Sequence, residues 1–114
     1  MVGIRKSTAE ETRQYSAEPA VVADVCQDTL KRVGKVVQVS QESGTIRGKV
    51  KLGFMNYGEV VLRITRAEGG TSLHIHASRD EGLVTSGGAE KTMAKFVEVL
   101  GRDTRLAGKS GAAW

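Results

Sequence analysis

The stretch "EVVLRITRAEGGTSLHIHAS", residues 59–78, decides how this chain is read. Val60, Leu62 and Ile64 fall on one side of its first half, and Leu73, Ile75 and Ala77 on one side of its second. That period of two is the signature of a strand, whose successive side chains point to opposite faces. The "AEGG" between them is hairpin chemistry. Setting Arg66 beside Thr71 pairs Leu62 with Ile75 and Ile64 with Leu73, so apolar faces apolar. The same register puts Arg63 across from His74 and Val61 across from His76, all on the wet face.

The alternation continues upstream. "KVVQVSQ" (35–41) sets Val37 and Val39 on one side, and "TIRGKVKL" (45–52) does the same with Ile46, Gly48, Val50 and Leu52. "QESG" and "GFMNYG" join these runs, so residues 35–79 form an antiparallel meander with one dry face. "ETRQYSA" (11–17) supplies a short first strand around Tyr15.

Two helices bracket the meander. In "SAEPAVVADVCQDTLKRVGK" (16–35), Ser16 suits the N-cap and Pro19 the first turn. Val22, Val25, Cys26, Thr29, Leu30 and Val33 then share one face. Gly34 suits the position after the helix end. A second helix over 86–100 aligns Ala89, Met93, Phe96, Val97 and Leu100, and Gly101 ends it. The expected fold is α+β: a single antiparallel sheet of four to five strands with two helices on one face, in the order (β)-α-β-β-β-β-α. Residues 1–10 read as a loose arm, 11–102 as one domain, and 103–114 as a flexible tail with Trp114 frayed in solvent.

Composition agrees with one small domain: 114 residues, 39% of them hydrophobic. Aromatics are only 4%, so the core rests on aliphatic side chains. The single cysteine rules out an internal disulfide framework and fits a reducing compartment. No apolar run resembles a secretory signal or a membrane span, which makes cytoplasmic localisation and no membrane partner the expectation.

The Gly34 helix end, the "SGTI" turn, the "YGEVVLRI" strand entry, "GGTSLHIHAS" and the closing helix in "SGGAEKTMAKFVEVL" together resemble small uncharacterised bacterial domains of the TATA-box-binding-protein-like fold. The likeness spans about residues 12–102. It implies a β-α-β4-α architecture and carries no catalytic residue. TATA-binding proteins pair two such repeats and wedge aromatics into the minor groove. Here there is one repeat, and no aromatic is expected on the outer sheet face.

Candidate sites follow from the alternation. His74 and His76 project together, a two-imidazole geometry that zinc uses when third and fourth ligands are near. Asp80 and Glu81 are the nearest carboxylates in sequence, and Arg63 across from His74 opposes a bound cation. Residues 35–79 carry seven basic residues against Glu42, Glu59 and Glu68, which accounts for the whole net charge of +4. Arg47, Lys49, Lys51, Arg63, His74 and His76 are therefore the candidate anion-binding residues of a basic outer face. The bland alternative is a solvated face whose cations discourage edge pairing.

"GLVTSGGAEKT" (82–92) lacks the lysine of a phosphate loop, since Gly88 stands in its place. No nucleophile triad assembles, and Asp24 and Asp28 share a helix face pointing away from the core. Small residues such as Gly48 and Ala77 leave room for an apolar cavity if the helices stand off the sheet. The leading expectation is a non-enzymatic binding or interaction module without a cofactor, monomeric or homodimeric. Its partner, a protein or an anion, meets it on the sheet face. The alternatives are anion or nucleic-acid binding through the basic face and, more weakly, a metal-dependent enzyme using the His-x-His pair.

Overall fold

The computed structural model describes residues 5–53, 56–81 and 88–106. The elements run β1 (Arg5–Tyr15), α1 (Pro19–Val33), β2 (Gly34–Ser40), β3 (Thr45–Gly53), β4 (Asn56–Ala67), β5 (Gly70–Glu81) and α2 (Gly88–Leu100). The strands form one antiparallel sheet in the order β1-β5-β4-β3-β2, so β1 closes the free edge of β5. Both helices pack on the same face. The α+β fold and its element order are as the periodicity predicts.

The central hairpin keeps the expected register: Leu62 pairs with Ile75, Ile64 with Leu73, Arg63 with His74 and Val61 with His76. Its inner residues Val60, Leu62, Leu73, Ile75 and Ala77 are fully buried. They meet Val22, Val25, Cys26 and Leu30 of α1 and Phe96 and Leu100 of α2 in one core. Apolar burial on the scale of these side chains stabilises by roughly 1.5–3 kcal/mol each, which is why the register cannot slip.

The ends of the chain depart from expectation. Residues 5–10 are not a loose arm: they belong to β1, where Arg5 pairs with Glu81 and Glu10 with His76. Residues 103–106 fold back on α1. There Arg105 Nη2 donates to Asp28 Oδ2 at 2.8 Å, and Leu106 enters the core at 6% exposure. Trp114 and most of the "GLVTSGG" segment lie outside the described residues.

Two details of α1 and β2 also change. Glu18, not Ser16, is the N-cap residue, with Pro19 opening the helix as expected. Gly34 is extended at φ 176° and already pairs with Val50 as the first residue of β2. What demands glycine there is space, since a Cβ would fall 1.8 Å from the Lys49 carbonyl oxygen. A bulge between Val36 and Gln38 then shifts β2. Val36 and Val39 therefore oppose the inward Gly48 and Ile46, while Val37 projects into solvent.

The helices sit directly on the sheet over its middle. A Cβ on Gly48 would meet Leu30 at 2.6 Å, and one on Gly58 would meet Thr92 Oγ1 at 1.8 Å. The cavity imagined beside Gly48 and Ala77 is thus filled. Interior polar groups are satisfied locally: Thr71 Oγ1 donates to the Ala17 carbonyl at 2.7 Å and Thr29 Oγ1 to that of Val25 at 2.8 Å.

Candidate functional site

Each outer-face residue takes its place from the pleat. Thr45, Arg47, Lys49 and Lys51 of β3 stand opposite Arg63, Val61, Glu59 and Tyr57 of β4. Lys35 of β2 lies opposite Lys49, and Gln38 opposite Arg47. Ser72, His74, His76 and Ser78 of β5 continue these rows, and Gln14, Thr12, Glu10 and Thr8 of β1 finish them.

The face divides in two. On the β2–β3–β4 half, Lys35, Arg47, Lys49, Lys51 and Arg63 form a cationic strip around Glu59. None of the five makes an ion pair among the described residues. Lys35 and Lys49 face each other directly, an arrangement that costs a few tenths of a kcal/mol or more in a sheet. Along β3 the cations recur every second residue, at intervals of about 7 Å. Tyr57 belongs to this half, 41% exposed, with Lys35 Nζ 5.9 Å from its ring centroid. The expectation of no aromatic on the outer face is thereby overturned. Tyr57 falls within the expected turn "GFMNYG", but β4 begins at Asn56 and takes it into the sheet.

The β5–β1 half is different in kind. His74 Nε2 lies 2.9 Å from Glu10 Oε1, and its Nδ1 lies 2.9 Å from Thr12 Oγ1. Both ring nitrogens are thus occupied: Nε2–H donates to the carboxylate while the Thr12 hydroxyl completes the other side. The structure brings His74 and Arg63 side by side, yet turns the imidazole toward β1. The carboxylate that reaches it is that of Glu10. Sequence reasoning missed Glu10 because residues 1–10 show no apolar alternation to mark a strand, and Thr12 because nothing local pairs the 11–17 strand with β5. No cluster of three or more His, Cys, Asp and Glu suited to a metal occurs among the described residues.

Of the candidate anion-binding residues, Arg47, Lys49, Lys51 and Arg63 thus share one surface, joined by Lys35. His74 is committed to β1, and His76 sits between Val61 and Glu10. Cys26 belongs to the core, where burial pushes its thiol up to about 12.

Fold and surface define the chain's class as a small α+β domain whose antiparallel sheet is covered by two helices on one face. No protein-family model matches the sequence, and no curated protein matches it. Solved structures do share the fold. Ara h 8.0201 is similar with a TM-score of 0.62 and 11% identity, over 85% of this chain and 97% of its own. Protein MLL2253 from Mesorhizobium loti follows with 0.58 and 17%, over 82% of this chain and 93% of its own. CalU16 from Micromonospora echinospora gives 0.50 and 13%, over 99% and 96%. The latter two are structural-genomics targets, and none of the three is named as a TATA-box-binding protein. At these identities the likeness is one of fold alone. No described helix is long and apolar enough to cross a membrane.

Proposed function

We propose that this chain is a non-enzymatic binding module that meets a polyanionic partner on the β2–β3–β4 half of its outer sheet face. The observation that carries the reading is the strip of Lys35, Arg47, Lys49, Lys51 and Arg63, free of ion pairs among the described residues. Cations set opposite one another weaken a fold unless something anionic neutralises them. Their spacing along β3 suits successive phosphates of an extended single strand, and Tyr57 offers a ring for base stacking.

The test is anisotropy of a labelled single-stranded oligonucleotide at two salt concentrations. Three to five phosphate contacts give a slope of log K against log salt of about −2 to −3.5. Charge reversal at Arg47 and Lys49 together is expected to lower affinity at least about tenfold, consistent with loss of two phosphate contacts. Binding that ignores salt, or that survives the double reversal, rules the reading out.

A further inference from the structure

A second surface, on the helical side of the sheet, has the opposite chemistry. A cleft of about 430 Å³ opens between the N-terminal half of α1 and the end of the β2–β3 hairpin. Ala20, Ala23, Asp24 and Gln27 of α1 form one wall, spaced i, i+3, i+4 and i+7 along a stripe separate from the core stripe. Val39, Ile46 and Ile64 form the floor.

The cleft has a physical cause in the sequence. Farther along α1, Leu30 lies directly against Gly48 and the helix is seated on the sheet. Toward its start the apolar side chains that α1 turns to the cleft are the small ones of Pro19, Ala20 and Ala23. Val39 opposes the buried Ile46 yet remains 41% exposed, because nothing from α1 covers it. Ile46 and Ile64 beneath it are buried, so Val39 is the apolar side chain that the cleft leaves open.

One polar feature gives the cleft a sign. Asp24 lines it and makes no side-chain hydrogen bond or ion pair among the described residues, whereas Asp28, one turn on, is held by Arg105. Gln27 and Ser40 add hydrogen-bonding groups at the rim. A volume in the range of small-molecule pockets, apolar walls and one unpartnered carboxylate select an occupant with an apolar body and a cationic head. We infer that this cleft binds a small hydrophobic amine, its ammonium paired with Asp24 and its body on Val39 between Ala20 and Ala23.

The experiment is a two-dimensional amide NMR titration of the full chain with phenethylamine, and in parallel with phenylpropionate, which has a similar body and the opposite charge. Saturable shifts are expected at Ala20, Ala23, Asp24 and Val39 with the amine, and markedly weaker binding with the carboxylate. Asp24→Asn should weaken the amine by roughly threefold or more, the worth of one partly exposed charge contact, while Asp28→Asn leaves it unchanged. Ala23→Leu, which fills the cleft, should abolish the shifts while the rest of the spectrum keeps its dispersion. Equal binding of the two probes, shifts confined to the outer sheet face, or no amine shifts by about 10 mM would overturn the inference. So would shifts at these residues that depend on protein concentration without any probe, which would mean that a second copy fills the cleft.

Discussion

Cys26 has no exposed surface and sits on the core stripe of α1 between Val25 and Leu30. Burial holds it as the neutral thiol, up to about 12 from an ordinary value of 9.0. A group whose folded value is raised contributes stability that is whole below its unfolded value and is lost as pH climbs toward the folded one. Stability should therefore decline between about pH 9 and 12 more steeply than in Cys26→Ala. A thiol reagent should label native Cys26 only as fast as the protein unfolds, which labelling rates across a denaturant series will test. Rapid labelling at zero denaturant is the contrary result. At this scale the histidines were half legible. Their face and the Arg63 neighbour follow from local alternation and one turn. The Glu10 contact to His74 spans 64 residues of sequence, and no local pattern announces it.

Among the elements, the strongly periodic ones were readable and the edges were not. Helix α1 buries the six residues its spacing selects, Val22, Val25, Cys26, Thr29, Leu30 and Val33. Strand β1 resists such reading because its outer face is polar and its inner face sets only Ala9 and Tyr15 against the core. Thr8, Glu10, Thr12 and Gln14 alternate outward, while inner Glu11 and Arg13 form a half-exposed ion pair with each other. An edge strand only half covered by helices tolerates charge on its inner side. The turn after α2 is a further case. Asp103 accepts from Arg105 at 2.7 Å, Arg105 also grips Asp28, and Leu106 plugs the core beneath them. Leu106→Ala should cost about 2–3 kcal/mol in chemical denaturation, as expected for a buried leucine. The Arg105 guanidinium holds the Asp103 carboxyl below its ordinary value of 3.8. The contribution of a carboxyl so depressed is present above about pH 4 and fades as pH falls through its folded value. Arg105→Ala should therefore lose stability at neutral pH and show a flatter acid limb in melts between about pH 5 and 2. An unchanged acid limb would show that the clasp contributes nothing.

The whole molecule is organised by β1. It returns across the sheet to pair with β5, so the most buried hairpin is central and β2 is left as the opposite edge. Removing residues 1–10 would strip the pairs from Arg5↔Glu81 to Glu10↔His76 and leave half of β5 as an open edge. We expect a lower urea midpoint, faster amide exchange at His76 and Ala77, and concentration-dependent association of the shortened chain. A shortened chain with an unchanged midpoint would mean that β1 does not stabilise the sheet.

What the sequence by itself determined is everything written in short-range periodicity: the four strands of the meander, two helices, the β4–β5 register and the inward face of β3, β4 and β5. Those follow from side chains a few residues apart competing for burial, and a one-residue error would expose the whole apolar set. Only the tertiary structure decided where β1 lies, that Glu10 and Thr12 occupy His74, that Tyr57 and Lys35 join the cationic strip, and that a cleft opens beside Asp24. Each of these depends on contacts between segments distant in the chain and largely polar. Their placement costs little to vary locally, so it leaves no repeating mark in the order of residues.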